Sequence, residues 1–183
     1  GRLYYTAHLD AFVMAEAVQP VSRGVTVERL YYDGECDPEG DTACQPLTQI
    51  EAGQRVRVEL TIIAPDDLLY LRVEDPIPAG AEAVDPGLAT TASGLGGDVV
   101  EVDRDDRDEW YGYWGWWRFN HIEYRDDRVL FLSDFLPAGT YQYSYYLETP
   151  IPGEYQVRPA VAYQEFFPEV FGRSAGMLFI IEE

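Results

Sequence analysis

The stretch RVRVELTII, residues 55–63, constrains this chain more than any other. Val56, Val58, Leu60 and Ile62 fall on one side of an extended backbone, and Arg55, Arg57, Glu59 and Thr61 on the other. A period of two is the signature of a half-buried β-strand, because successive side chains of a strand point to opposite faces. The pattern recurs in VTVERLYY (25–32), LLYLRVE (68–74) and TYQYSYYLE (140–148), where Tyr141, Tyr143, Tyr145 and Leu147 share a face. Shorter strands are predicted at 99–102, 121–124, 129–132 and 155–157, and a last apolar one, MLFII, at 177–181. The opening residues alternate too: Leu3, Tyr5, Ala7, Leu9 and Ala11 against Thr6, His8 and Asp10. Pro and Gly punctuate the intervals, as in APDD, PAG, TPIPGE and DPIPAGAEAVDPG, fixing φ at Pro and allowing unusual φ at Gly. No segment carries a sustained helical stripe, although 81–91 has room for one short helix. Many short strands joined by such turns predict an all-β fold, an antiparallel β-sandwich with Pro/Gly-rich loops. Composition shifts nowhere enough to mark a second domain, so 1–183 reads as one. The chain opens GRLYY inside a strand pattern, without an initiator Met or a leader, so the expectation is a domain cut from a longer protein.

Charge narrows the partners. The formal net charge is -20, from 13 basic and 33 acidic side chains. Such a surface repels phosphate backbones and anionic headgroups, which excludes nucleic acid, and no apolar run approaches the ~20 residues a membrane helix needs. Every basic residue is Arg.

Cys36 and Cys44 lie in the acidic loop DGECDPEGDTAC. Their closeness, with no second pair for zinc and no CxxC, reads as a disulfide and implies an oxidising place: extracellular, cell surface or periplasm. Asp37, Glu39 and Asp41 alternate between them and are weak calcium candidates, but the loop lacks the EF-hand order.

Catalytic constellations are sparse. His8 sits on the polar side of the opening alternation, and His121 precedes IEYRDDR, where a structural hydrogen bond is the simpler reading. Glu123 with Asp127 is a conceivable glycosidase pair, yet 33 acidic residues produce such neighbours by chance. Arg125 and Arg128 bracket Asp126 and Asp127 and suit ion pairs at a loop end. The chain therefore reads as a non-enzyme without cofactors. The densest feature is DEWYGYWGWWRFN, which holds Trp110, Trp114, Trp116 and Trp117. It has three readings: core packing, a contact surface for a neighbouring domain, or a carbohydrate platform that would make the chain an independent sugar-binding module.

The motifs EYRDDRV (Glu123 to Val129), LPAGTYQYSY (Leu136 to Tyr145), PGEY (Pro152 to Tyr155) and PEVFGRS (Pro168 to Ser174), the last with Glu169 and Arg173, stand in one order along the chain. Together they resemble the carboxy-terminal domain of bacterial alpha-2-macroglobulin family proteins. Upstream, RGVTVER (Arg23 to Arg29) and VEDPIPAGAE (Val73 to Glu82) fit the same domain, and the opening LYY resembles its first strand. The resemblance implies a macroglobulin-type sandwich in a large secreted or periplasmic protein that traps proteases, in many members through a thioester. In that family the terminal domain packs near the thioester domain, helps hold the uncleaved state and has no catalytic residues. Its partners would be other domains of the parent chain, with proteases engaged by the whole protein. The thioester sequence C-x-E-Q is absent from these 183 residues. Where the family pattern carries a Tyr and a small polar residue, this chain has Phe166 and Phe167. They join the tryptophans as candidate interface residues.

Overall fold

The alternating segments do become strands, and the spaces between them become tight turns. The computed structural model describes residues 1–37, 44–87, 99–103 and 121–183. Among the described residues, one 3-10 turn, η1 (Ala15–Ala17), precedes fourteen strands. They are β1 (Val21–Arg23), β2 (Thr26–Asp33), β3 (Gln49–Glu51), β4 (Arg55–Ala64), β5 (Leu68–Pro76), β6 (Glu82–Ala83) and β7 (Val99–Asp103). Then follow β8 (His121–Tyr124), β9 (Arg128–Leu136), β10 (Gly139–Glu148), β11 (Gly153–Val157), β12 (Val161–Gln164), β13 (Phe167–Arg173) and β14 (Met177–Glu182).

Two sheets form the sandwich. One runs β1-β13-β12-β5-β9-β8, and the other β2-β4-β10 with β6 and β7 both paired to β10. A third sheet, β11-β14-β3, adds the fold's parallel pair of named strands, β14 with β3. The RVRVELTII stretch lies centrally in β4, between β2 and β10. Its apolar side is fully buried: Val56, Val58 and Leu60 at 0% and Ile62 at 1% exposure. Removing each such side chain from water contributes about 1.5–3 kcal/mol. Tyr141, Tyr143 and Tyr145 of β10 face inward beside them. The ring of Tyr143 meets Phe131 of β9 edge-on at 4.7 Å, which locks one sheet to the other. Tyr31 of β2 meets Phe179 of β14 in the same way at 5.0 Å, which seats the third sheet on the core.

Gly172 marks a close approach of β13 to the chain entering β2. A Cβ built there would lie 2.2 Å from the carbonyl oxygen of Val25, so no larger residue fits without moving the backbone. Gly24, at φ 84°, turns the chain between β1 and β2 in a conformation that favours glycine. This turn splits the strand predicted at 25–32 from the short β1 ahead of it.

Two expectations need correction. Residues 3–11 form no strand; Leu3, Tyr5 and Leu9 are 86%, 84% and 92% exposed, because among the described residues no strand lies alongside them. Within 81–91 the described part, 81–87, holds β6 and a turn instead of a helix. The pairing of Ala83 with Leu147 takes those residues into the β10 ladder. Within the Tyr141, Tyr143 and Tyr145 stripe, the Tyr145 hydroxyl donates inside the core to Asp75 Oδ2 at 2.7 Å.

Candidate functional site

The largest exposed aromatic feature among the described residues of the sandwich is built where β5, β9 and the β12–β13 hairpin meet. Gln164 and Phe167 pair across a tight turn, so Glu165 and Phe166 form its tip. Tight turns are normally made by Gly, Asn, Asp, Pro or Ser. A Phe at a tip, 67% exposed, with Phe167 beside it at 53%, has no local reason to be there. The hairpin is held by the Glu165 N–H, which donates to the carbonyl of Tyr70 at 3.0 Å.

Tyr70 is the unusual residue of this face. It is the non-glycine residue with positive φ, 51°, among those described. Bulky residues rarely adopt that conformation, and holding one there costs of order 1–3 kcal/mol. The kink interrupts the alternation of β5: Leu68 is buried, Leu69 and Tyr70 are exposed, and Leu71 is buried again. Its result is that the Tyr70 ring stands outward and meets Phe166 edge-on at 5.1 Å. Leu69 pairs across the sheet with Phe135, and both are about half exposed. Tyr70, Phe166, Leu132 and the stem of Arg72 line an open depression of about 260 Å³, with Asp134 and Glu165 on its border. Strain that displays an aromatic pair beside a shallow apolar hollow suits the anchor of a protein interface.

The EYRDDRV segment forms a charged turn on the same sheet. The Arg125 N–H donates to the carbonyl of Arg128 at 2.9 Å, which closes the β8–β9 turn. Arg128 grips Asp127, with Nη2 at 2.7 Å from Oδ2, and reaches across to Glu74 at 2.6 Å. Arg125 pairs with Glu123 instead of with Asp126, and His121 Nε2 lies 3.1 Å from Glu123 Oε1. The hydrogen bond from Arg125 holds the Glu123 carboxyl below its ordinary value, and that from Arg128 does the same for Asp127. Burial alone would raise Glu74, but hydrogen bonds from Arg128, Tyr163 and Arg72 outweigh it and hold the carboxyl low. Carboxylates kept ionised by arginines are structural clamps and poor proton donors.

At the centre of the sandwich, Arg29 of β2 meets Asp75 of β5 at 2.6 Å, with side chains 1% and 0% exposed. Arg29 also donates to the carbonyl of Pro76 at 3.1 Å. Burial disfavours the Arg29 charge, but the Asp75 carboxylate beside it more than offsets that and keeps the guanidinium ionised. Burial and the nearby Asp75 charge push the Tyr145 hydroxyl well up, so it remains a donor. This pair was missed in the sequence, though Arg29 shares its parity with inward Val27 and Tyr31.

Cys36 and Cys44 form a disulfide with a Cα–Cα distance of 5.8 Å. Of the calcium candidates, Asp37 is exposed, while Glu39 and Asp41 lie outside the described residues. So do Trp110, Trp114, Trp116 and Trp117. Glu169 is exposed on β13, and Arg173 at the end of that strand donates to the carbonyl of Gln19 at 3.1 Å. Among the described residues, no three His, Cys, Asp or Glu side chains gather as metal ligands, and no helix is long and apolar enough to cross a membrane.

Packed, mainly antiparallel sheets around one apolar core define the class: a β-sandwich domain. The comparisons give the family. Residues 24–169 match the bacterial alpha-2-macroglobulin MG10 domain. An alpha-2-macroglobulin homolog of Nostoc sp. is 32% identical over 139 residues, which cover 76% of this chain and 6% of that protein. The chain belongs to the bacterial alpha-2-macroglobulin family, as its MG10 domain. Among solved structures, Escherichia coli alpha-2-macroglobulin activated by porcine elastase aligns with 91% of this chain and 14% of its own, with a TM-score of 0.70 and 21% identity. Native E. coli alpha-2-macroglobulin spanning domain MG7 to the C-terminus aligns with 92% of this chain and 25% of its own, at 0.68 and 22%. Salmonella alpha-2-macroglobulin reacted with methylamine gives 0.65 and 20%, over 91% and 10%. The chain thus spans a small part of each relative, and the solved structures share its fold.

Proposed function

We propose that this chain is a non-enzymatic docking domain, carboxy-terminal in a larger protease-trapping macroglobulin, that helps hold the uncleaved state. It does so by packing the Tyr70–Phe166 face against another domain of the same protein. One observation carries the reading: the aromatic pair at a strained kink and a hairpin tip, 5.1 Å apart and open to solvent. A neighbouring domain would cover it, as aromatic hot spots at interfaces are covered. Proteases would meet the whole protein. The Cys36–Cys44 disulfide favours a secreted, cell-surface or periplasmic setting.

The test is made in the whole chain. Tyr70→Ala with Phe166→Ala should make the uncleaved protein convert spontaneously to the form otherwise reached only after protease treatment, seen as a mobility shift on native gels. An uncleaved form as durable as the parent's would refute the assignment. A native chain no larger than these 183 residues would refute it as well.

A further inference from the structure

The outer side of the six-stranded sheet carries its chemistry in register. Cα pairing across β1, β13, β12, β5, β9 and β8 sets Arg23, Phe171, Tyr163, Arg72, Leu132 and His121 in one row. The adjoining positions Gly172, Ala162, Val73 and Phe131 are buried in the core, so the row faces away from it. Arg23 and His121 at its ends are exposed and the four residues between them half-buried, so among the described residues nothing closes over it. Five strand spacings make the row about 24 Å long.

Its arginines are underused. Arg23 lies over Phe171, its guanidinium 5.3 Å from the ring centre, and pairs with no carboxylate among the described residues. Arg72 engages only Nε, which donates to Glu74 Oε1 at 2.8 Å. Arg173, one row over beside Val161, likewise engages only Nε, on the carbonyl of Gln19 at 3.1 Å. Glu74 has little left for them, since it also accepts from Arg128 at 2.6 Å and from the Tyr163 hydroxyl at 3.0 Å. In a chain of formal net charge -20, three guanidinium groups with unengaged Nη donors thus stand around two aromatic rings.

Such a patch fits carboxylates. A guanidinium fork binds them through two parallel hydrogen bonds, and flanking rings keep water from those bonds. The patch is continuous with the hollow of the docking face, because Arg72 and Leu132 line both. A neighbour seated on Tyr70 and Phe166 therefore reaches the middle of the row. We propose that this neighbour is a domain of the same protein with an acidic surface, whose Asp and Glu side chains pair with Arg23, Arg72 and Arg173 over Phe171 and Tyr163. Chain enough for such a domain lies outside these residues, whose matches cover 6% of the Nostoc protein and 25% of the E. coli fragment. The inference rests on the reading that another domain covers the Tyr70–Phe166 face.

Carbodiimide cross-linking in the whole protein tests it. The 183 residues contain no Lys, so Arg23→Lys supplies one side-chain amine in this domain, which carbodiimide joins to a carboxylate in contact with it. Arg23 is exposed, so the substitution should leave the Tm unchanged. In the uncleaved protein the amine should link to an Asp or Glu of another domain, located by mass spectrometry of the joined peptides, and protease cleavage should remove most of that link. Arg72→Lys is the reference, since its amine should link to Glu74 in the 183-residue protein as well. No link from Arg23→Lys to another domain, with the Glu74 link of Arg72→Lys present, would overturn the proposal. If radical footprinting then finds Tyr70 and Phe166 shielded in the uncleaved protein, the docking face stands and its partner is not acidic. If it finds them as open as in the 183-residue protein, the docking reading falls too. A link to a second copy of the chain would also overturn the proposal. So would shielding of Tyr163 and Phe171 without any link that a polysaccharide lyase relieves, which would give the patch to an anionic carbohydrate.

Discussion

At the scale of single residues, the buried Arg29–Asp75 pair ties β2 of one sheet to β5 of the other. A charge taken out of water is tolerated only when paired and hydrogen-bonded, and here Asp75 accepts from both Arg29 and Tyr145. Asp75→Ala should destabilise the fold by about 3–5 kcal/mol, because Arg29 would be left buried without its counter-charge. Arg29→Met combined with Asp75→Leu should recover much of that loss; urea unfolding of the three proteins reads both outcomes. Glu74 gives a pH dependence of known sign. Its folded value lies below the ordinary 4.5, so its contribution to stability is fully present above that value and is lost as pH falls through the lower, folded one. The gap in urea midpoint between the parent protein and Glu74→Gln should be constant near neutrality and should close in acid. Arg29 shares parity with inward Val27 and Tyr31, yet alternation alone does not name its partner Asp75, and the pair was missed. The bent backbone of Tyr70 was not legible either. Strict alternation through LLYLRVE groups Leu69 with Leu71 and Val73, whereas the kink turns Leu69 outward and leaves Leu68 and Leu71 inside. No residue-type pattern announces a positive φ at a Tyr.

At the scale of elements, strands with long uninterrupted alternation were readable and irregular ones were not. β4 and β10 have that pattern, and they pair over all ten residues of each. β12 and β13 escaped because their hairpin carries a register shift between Tyr163 and Gln164, and a bulge breaks the period on which the reading depends. The opposite error fell on residues 3–11, whose alternation reports that one side wants burial and says nothing about which sheet supplies it. The glycines show how tightly β13 must approach β2. Gly172→Ala would put a methyl group 2.2 Å from the Val25 carbonyl oxygen, and overpacking of this kind costs about 1–3 kcal/mol. Thermal unfolding should show a matching fall in Tm, whereas Gly53→Ala, with open space around it but a φ of 83°, should cost about 1 kcal/mol through backbone strain alone. Reducing the Cys36–Cys44 bridge releases a short loop and should lower stability by about 2–3 kcal/mol, measured by urea unfolding with and without reductant.

At the scale of the whole molecule, the domain is an acidic sandwich whose conspicuous exposed features among the described residues are apolar: the Tyr70–Phe166 face and the segment before η1. Both make sense for a module built into a larger chain. Phe166 and Phe167 came to notice through the family resemblance, while the hollow beside them needed the fold, because β5, β9 and the β12–β13 hairpin are distant in sequence. The most direct test is hydroxyl-radical footprinting of Tyr70, Phe166 and Phe167 in the whole protein before and after protease cleavage. All three should be strongly protected in the uncleaved protein, with oxidation rising towards the rate of the 183-residue protein after cleavage. Oxidation in the uncleaved protein as fast as in the 183-residue protein would contradict the docking role, and would mean that this face holds nothing in place.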